Sequence, residues 1–348
     1  MDKPRPQAVI KEGRRVSHGA VTLADVAGLA KVAPITVSRA LNNPDSVSEA
    51  LRTRIHAAVE QLGYVPNRMA GALASAKTKV VPVIVPSLSN VVFIEVIEGV
   101  QQVFAVHGYQ LLLGTTDYDL GREAELVSAL LGWAPPGVII AGLRHLPRTV
   151  NILQNAGVPV VEMMEFGSCI DMNVGLSHVQ AGAEMAAHLL ARGYRKIGFV
   201  GARLCDDYRA RQRYDGMHRR LAEDETARDV LFDYPDSGGQ QLGWTALGDI
   251  LQSHPDLEAL FFANDEMAVG AMLRAQRDGI AIPGRVAIAG FNGLPISALV
   301  TPALTTIISP RRRIGRTAAE MLLACMAGAD PAVRRVDVGL QLAVREST

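Results

Sequence analysis

Apolar residues between Thr22 and Leu62 recur at helical spacing in three short runs. The first is Leu23, Val26, Ala27 and Ala30, the second Ile35, Val37, Ala40 and Leu41, and the third Ile55, Ala58, Val59 and Leu62. Lys31 to Pro34 separates the first two, which predicts two short helices crossing at a steep angle. Ser46 or Ser48 offers an N-cap for a third helix over Ser48 to Leu62, and Gly63 a stop. From Val80 onward the pattern changes to compact apolar runs that alternate with amphipathic stretches. Strands are expected at Val80–Val85, Tyr109–Leu113, Gly137–Ile140 and Val158–Glu162, with helices at Ile94–Val106, Glu123–Leu131 and Arg148–Asn155 between or after them. The alternation then repeats: helices at Ala181–Ala191, Tyr208–Leu221, Met267–Asp278 and Ile314–Met326, and strands at Lys196–Val200, Leu260–Ala263 and Val286–Gly290. Continuous apolar strands between amphipathic helices predict parallel sheets covered on both faces, so the fold class is α/β behind a small helical module.

Thr36, Ser38 and Arg39 lie between the apolar positions of the second short helix. One face can pack while the other offers hydroxyls and a guanidinium, groups that suit base edges and phosphates in a major groove. The same pattern also describes a plain helical module, and charge separates the two readings. Residues 1–80 hold twelve Lys/Arg against six Asp/Glu, a net of +6, while the remainder holds 23 against 29, a net of −6. A neutral chain thus conceals a basic front and an acidic body, as a separate nucleic-acid module requires.

Other chemistry is bounded by what the chain lacks in sequence. No 18-residue uncharged apolar run is present, so no membrane partner is expected, and the basic, Pro- and Gly-containing stretch 1–20 reads as a flexible tail rather than a signal peptide. Cys169, Cys205 and Cys325 are scattered without metal-ligand spacing, which is simplest in a cytoplasmic, reducing compartment. There is no G-x-S-x-G, P-loop or H-E-x-x-H signature, and the histidines are dispersed. No catalytic residue, metal or cofactor is therefore assigned, and an enzyme is not expected.

Thr22, Leu23, Asp25, Val26, Ala27, Ala30, Val32, Thr36, Val37, Ser38, Arg39, Leu41, Asn42, Gly63, Tyr64, Pro66 and Asn67 stand at a spacing that resembles the DNA-binding headpiece of the LacI family of bacterial transcription repressors. The resemblance implies a recognition helix near Pro34 to Leu41, with Pro34, Ile35 and Arg39 facing base edges and Thr36 and Ser38 nearer the backbone. It also implies a hinge helix over 67–79 that pairs with its twin and wedges an apolar side chain into the minor groove, where Ala70 and Leu73 fall. The DNA-contacting set so implied is Thr22, Ala33, Pro34, Ile35, Thr36, Ser38, Arg39, Asn42, Asn67, Arg68, Ala70 and Leu73. Ala33 departs from the family's usual Ser or Thr, and Pro34 compensates in part because its fixed φ and missing donor suit a first helical turn. The expected architecture is a helix-turn-helix headpiece at 21–66, then a two-lobed periplasmic-binding-protein-like core with parallel sheets. Its N-terminal lobe is placed at 80–176 plus 308–335 and its C-terminal lobe at 177–307 plus 336–348. The implied partners are palindromic double-stranded operator DNA, a small-molecule effector and a second copy of the chain. Because Arg345 to Thr348 carries no added helix, a homodimer is expected rather than a tetramer.

Ligands of open α/β sheets sit beyond the carboxyl ends of the strands. Those ends offer Ser87, Asn90, Thr115, Thr116, Arg144, His145 and Arg148 in the first lobe, and Arg203, Arg213, Asn264, Asp265 and Asn292 in the second. Each also serves as well as a cap or a surface contact. The family resemblance points to Arg213, three residues before Gly216, to Asn264 or Asp265, and to Asn292, where an amide in place of the usual aspartate favours an anion. Val47–Arg52, Val85–Phe93, Pro147–Thr149, Val160–Met164 and Gly201–Leu204 resemble the gluconate-utilisation repressors within that family. The implied effector is gluconate or a related aldonate, its carboxylate gripped by Arg148 and Arg213 from opposite lobes. Ser87, Asn90, Asn264 and Asn292 would then bind hydroxyls, with Phe93 and Asp265 completing the set. Another sugar, a ketogluconate, or a solute-binding role without DNA are the rival readings. Leu73→Ala should weaken specific more than non-specific binding in a gel-shift assay; equal losses would remove the minor-groove wedge.

Overall fold

A computed structural model describes residues 21–43, 46–64, 78–236 and 238–348. The expected tail and the hinge residues Asn67, Arg68, Ala70 and Leu73 lie outside the described residues. The chain divides into two compact units, 1–76 and 77–348.

In the first unit, α1 (Leu23–Ala30), α2 (Pro34–Asn42) and α3 (Glu49–Leu62) follow from local chemistry. Thr22 caps α1 in a reciprocal box: its hydroxyl accepts from the Asp25 N–H at 3.3 Å, while the Asp25 carboxylate accepts from the Thr22 N–H at 2.8 Å. Lys31 ends α1 in the left-handed region at φ 51°, and Pro34 opens α2 at its first position, where no N–H is needed. Gly63 stops α3 at φ 62°. Val26, Ala30, Val37, Ala40, Ile55 and Ala58 meet in one buried cluster. Burial of each larger side chain there contributes roughly 1.5–3 kcal/mol, which holds short helices that would fray alone.

The second unit contains two six-stranded sheets. The first runs β11 (Arg335–Asp337), β5 (Met172–Leu176), β4 (Val160–Glu165), β3 (Val138–Ala141), β1 (Val80–Val85) and β2 (Gln110–Thr115), all parallel. The second runs β12 (Gln341–Ala343), β10 (Thr305–Ile308), β9 (Ala287–Asn292), β8 (Ala259–Phe262), β6 (Lys196–Ala202) and β7 (Arg228–Tyr234). It is parallel except for its edge, where β12 pairs antiparallel with β10. The chain passes between sheets three times, after β5, β10 and β11. Strand β11 lies wholly in the first sheet, Asp337 opposite Gly175, across the break expected at 335/336.

Several elements escape the apolar pattern. β5 contains Asn173, which is buried because its amide donates to the Glu162 and Glu165 carbonyls at 2.9 and 2.7 Å and its oxygen accepts from the Gly167 N–H. β7 is an edge strand with half-exposed positions, and the helix Gln240–Ser253 starts with two glutamines and carries Gly243 and Gly248. Three helix pairs touch backbone to backbone through reciprocal glycines. These are Gly99 with Gly315, Gly182 with Gly216 and Gly243 with Gly270, where an added Cβ would overlap a carbonyl of the facing helix. Gly216→Ala should therefore lower stability by roughly 1–3 kcal/mol in urea unfolding, despite the better helix propensity of alanine. Gly248→Ala, which meets only the flexible end of Arg274, should be neutral or stabilising by up to about 1 kcal/mol. The same loss at both sites would refute close backbone packing as the reason for Gly216.

Candidate functional site

The outward face of α2 carries the groups expected to read DNA. Val37 and Ala40 are fully buried, whereas Pro34, Arg39 and Ile35 are exposed, Ile35 to 60%, and Thr36 and Ser38 are half-buried. Ala33 is the N-cap residue and makes no side-chain cap, so the first turn relies on the Ala33 carbonyl, which accepts from the N–H groups of Thr36 and Val37 at 2.9 and 3.3 Å. Asn42 is the last residue of the helix. Thr22 lies at the start of α1 with its hydroxyl donating to the Asp25 carboxylate at 2.7 Å, and the hydroxyl and the Thr22 N–H together hold Asp25 below the usual carboxylate range. An exposed apolar side chain beside an exposed guanidinium on a short helix suits a base edge and its thymine methyl.

In the second unit the carboxyl ends of both sheets face one cleft. A cavity of about 270 Å³ is lined by Ser87, Ser89, Asn90 and Tyr118 from the first lobe and by Arg203, Asp206, Asp207, Asp236, Asn264 and Glu266 from the second, among others. A smaller space of about 80 Å³ shares Tyr118 and Asp206 with it and adds Thr116, Glu123, Arg144, Cys205, Tyr208 and Arg209. The lobes also bond directly: the Leu143 N–H donates to the Tyr208 hydroxyl at 2.9 Å, and Arg144 donates to the Cys205 carbonyl at 3.2 Å. Asn90 is held by donating its amide to the Tyr118 hydroxyl at 3.1 Å. Burial raises the Tyr118 hydroxyl above its ordinary value and pushes Tyr208 up to about 12, so both stay protonated donors at neutral pH.

Of the sequence-expected effector residues, Ser87, Asn90 and Asn264 line the larger cavity. Asn264 also caps the helix Asp265–Asp278, its oxygen accepting from the Met267 N–H at 2.8 Å while its amide donates to the Gly238 carbonyl at 2.9 Å. Arg213 is 5% exposed and lies beneath the cleft floor, donating to His178 Nδ1 and to the Ala263 carbonyl, both at 2.9 Å, and stacking on Phe291. Burial lowers Arg213 to about 10, which leaves it cationic, and burial followed by the charges of Arg213 and Arg209 drives His178 well below its ordinary value. His178 is therefore neutral, with Nε2 donating to the Met164 carbonyl at 3.2 Å and Nδ1 accepting from Arg213.

The other expectations differ from the structure. Arg148 is exposed on the first turn of the helix Pro147–Gln154 and, like Arg213, lines neither cavity, so the two arginines of the expected carboxylate grip are not brought together at either one. Phe93 is 1% exposed and belongs to the core, where its ring lies under Arg209. Asp265 is fully buried and turned away to accept from the Leu294 N–H at 2.6 Å and the Thr306 hydroxyl at 2.6 Å. Asn292 is buried at φ 121°, a region costly for any residue but glycine, and its carbonyl accepts from Arg311.

Arg209 was absent from the expected set, although it sits one helical turn before Arg213. It is 7% exposed, its guanidinium lies 5.8 Å from the Phe93 ring centre and 5.6 Å from that of Tyr208, and its Nη1 has no hydrogen-bond partner among the described residues. Helical spacing places it on the Arg213 face, and that i,i+4 pair was the signal available. Below the small space, His145 is buried between two acids, with Nδ1 2.7 Å from Glu123 and Nε2 3.2 Å from Glu162. Burial acts to lower His145, but the hydrogen bonds and charges of the two glutamates outweigh it and carry it up to about 9.

Residues 22–67 match the family described as bacterial regulatory proteins, lacI family, and residues 186–348 match the periplasmic binding protein-like domain. The HTH-type transcriptional regulator GntR of Pseudomonas aeruginosa is 39% identical over 334 residues, covering 95% of this chain and 96% of the relative. GntR of Escherichia coli K12 is 37% identical over 321 residues, covering 92% and 96%. A crystal structure of a LacI-family transcriptional regulator from Silicibacter pomeroyi superposes with a TM-score of 0.89 at 39% identity, covering 94% of this chain and 99% of that one. These similar proteins are transcriptional regulators, in agreement with the expectation of a regulator rather than an enzyme.

The buried histidine gives the cleft floor a pH dependence of fixed sign. Its folded value near 9 lies above its ordinary 6.5, so its contribution to stability is complete below about pH 6.5 and is lost as pH rises through about 9. Urea unfolding of His145→Gln should show lower stability at pH 6 and a flatter decline between pH 6.5 and 9 than the parent chain. An unchanged slope would show that His145 is not held protonated.

Proposed function

This chain belongs to the lacI family of bacterial regulatory proteins, and from that premise we propose that it is a dimeric repressor whose hold on a palindromic operator is released by gluconate or a closely related aldonate. It is a DNA-binding transcriptional regulator by family; the effector, the dimer and the cytoplasmic setting are the proposal. The observation that carries the effector is the buried Arg209, which lines the smaller interlobe space beside Arg144, next to a larger cavity rich in hydroxyl-binding groups. A guanidinium removed from water, with its Nη1 lacking a partner among the described residues, favours an incoming carboxylate. Ser87, Ser89, Asn90 and the cavity carboxylates supply donors and acceptors for a polyol chain.

The link from cleft to output runs through Arg311, at the second passage between lobes. Its guanidinium is buried, donates to the Asn292 carbonyl at the end of β9 and pairs with Glu95 at 2.9 Å on the helix Val92–Val106 of the other lobe. A change in lobe angle is thereby felt by that helix, whose exposed Ile94 is in this reading an apolar contact for a second copy. In this reading the effector favours a lobe angle at which the two headpieces no longer match adjacent half-sites. Operator and effector then weaken each other by one common factor, of the order of 5–150-fold.

Calorimetry of the full chain with D-gluconate, 2-ketogluconate, D-glucose and ribose, paired with operator gel shifts, tests this. Gluconate should bind and release DNA, and glucose and ribose should do neither. Heat from glucose or ribose alone, or from none of the four, would sink the sugar-acid assignment, and gluconate binding without DNA release would sink the coupling.

A further inference from the structure

The cleft is electrically divided, and the division assigns an orientation to its ligand. In the smaller space the cations are Arg144 and Arg209. Its acids are Glu123 and Asp206; Glu123 faces the buried His145 at 2.7 Å and Asp206 is paired with Arg203 at 2.7 Å, so both charges are countered. Arg209 carries a buried Nη1 with no partner among the described residues, and Tyr118 and Tyr208 stand beside it as protonated hydroxyls. Leaving a guanidinium N–H buried and unsatisfied is costly, and a planar carboxylate supplies the acceptor this group lacks.

The larger cavity has the opposite character. Asp206, Asp207, Asp236 and Glu266 face Arg203 alone, and Arg203 is already paired with Asp206 at 2.7 Å. Ionised carboxylates accept and cannot donate, so they suit hydroxyl groups and repel anions. The two spaces meet at Tyr118 and Asp206, contributed by opposite lobes. A ligand spanning both must be anionic at one end and a neutral polyol at the other.

We propose that the effector lies with its carboxylate on Arg209 and Tyr118 in the small space and its hydroxylated tail among Asp206, Asp236 and Glu266, so that Arg209 selects the acid and the acidic wall rejects acids carrying a second negative charge on the tail. This rests on the sugar-acid reading above. It replaces Arg148 by Arg209 as the residue that tells an aldonate from a neutral sugar. It also sets a specificity rule: aldonates are accepted, whereas aldarates and tail-phosphorylated aldonates are refused.

The test is calorimetry of the full chain with D-gluconate, D-glucarate and 6-phospho-D-gluconate, repeated on Arg209→Met, Arg209→Lys and the double variant Asp236→Asn with Glu266→Gln. The parent should prefer gluconate over both of the more highly charged acids. Arg209→Met should weaken gluconate by roughly 10–150-fold, as loss of a charged hydrogen bond does, with partial recovery in Arg209→Lys. The double variant should narrow the gap between gluconate and the two more highly charged acids by about tenfold or more. Gluconate affinity unchanged in Arg209→Met overturns the assignment of the carboxylate, and equal parental affinity for all three acids overturns the assignment of the tail. Circular dichroism establishes that the variants fold; should Arg209→Met not fold, the double variant decides alone, and an unchanged gap there overturns the proposal. Absence of heat from every sugar acid in the parent instead removes the reading beneath it, before any variant is made.

Discussion

Two guanidiniums one helical turn apart, withdrawn from water at the seam between the lobes, constrain everything around them. Arg209 and Arg213 both lie on the helix Tyr208–Leu221, and removing such charges from water is tolerated only with hydrogen bonds or counter-charge nearby. Arg213 meets that demand with a histidine, a carbonyl and an aromatic face. Burial, followed by the neighbouring positive charges, keeps His178 neutral, and neutrality makes it an acceptor for Arg213 and a donor to Met164 in the first lobe. Arg209 meets it with two aromatic rings and the nearby charges of Asp207 and Glu165, while its Nη1 keeps no hydrogen-bond partner among the described residues.

The same helix shows how placement and chemistry are joined. Its N-cap Asp207 accepts from the Ala210 N–H at 3.1 Å, which fixes where the first turn begins and hence where Arg209 points. Gly216 lets it lie directly on the helix His178–Ala191, so the Arg213 to His178 distance is set by backbone contact rather than by adjustable side chains. In the headpiece, the Thr22 and Asp25 box and the left-handed Lys31 perform the equivalent task, turning Ile35 and Arg39 outward while Val37 and Ala40 go in.

Much of this was legible in the chain because periodicity reports burial. The run Val80–Val85 and the helix Tyr208–Leu221 stand where their apolar spacing put them. Elements whose stability comes from elsewhere were hidden: β5 is interrupted by a buried asparagine that bonds to β4 and to the loop at Gly167, and β12 by the shortness of an edge. For the cleft, strand-end logic found Ser87, Asn90 and Asn264, since a strand terminus has a knowable position. It failed for Arg148 and Asp265, because the direction of a side chain after the last strand residue depends on caps and on the opposing lobe. It passed over Arg209 for the same reason, because a residue in the first turn of a helix comes to line the cleft only through the packing of the other lobe.

The reciprocal glycines have a mechanical consequence. Where two helices touch carbonyl to Cα, there is no soft layer of side chains to shear, so each pair is stiff. One such weld, Gly99 with Gly315, lies in the first lobe, and two, Gly182 with Gly216 and Gly243 with Gly270, lie in the second. Compliance is then concentrated in the three chain passages between the sheets, and a lobe moves as a lever rather than as a spring.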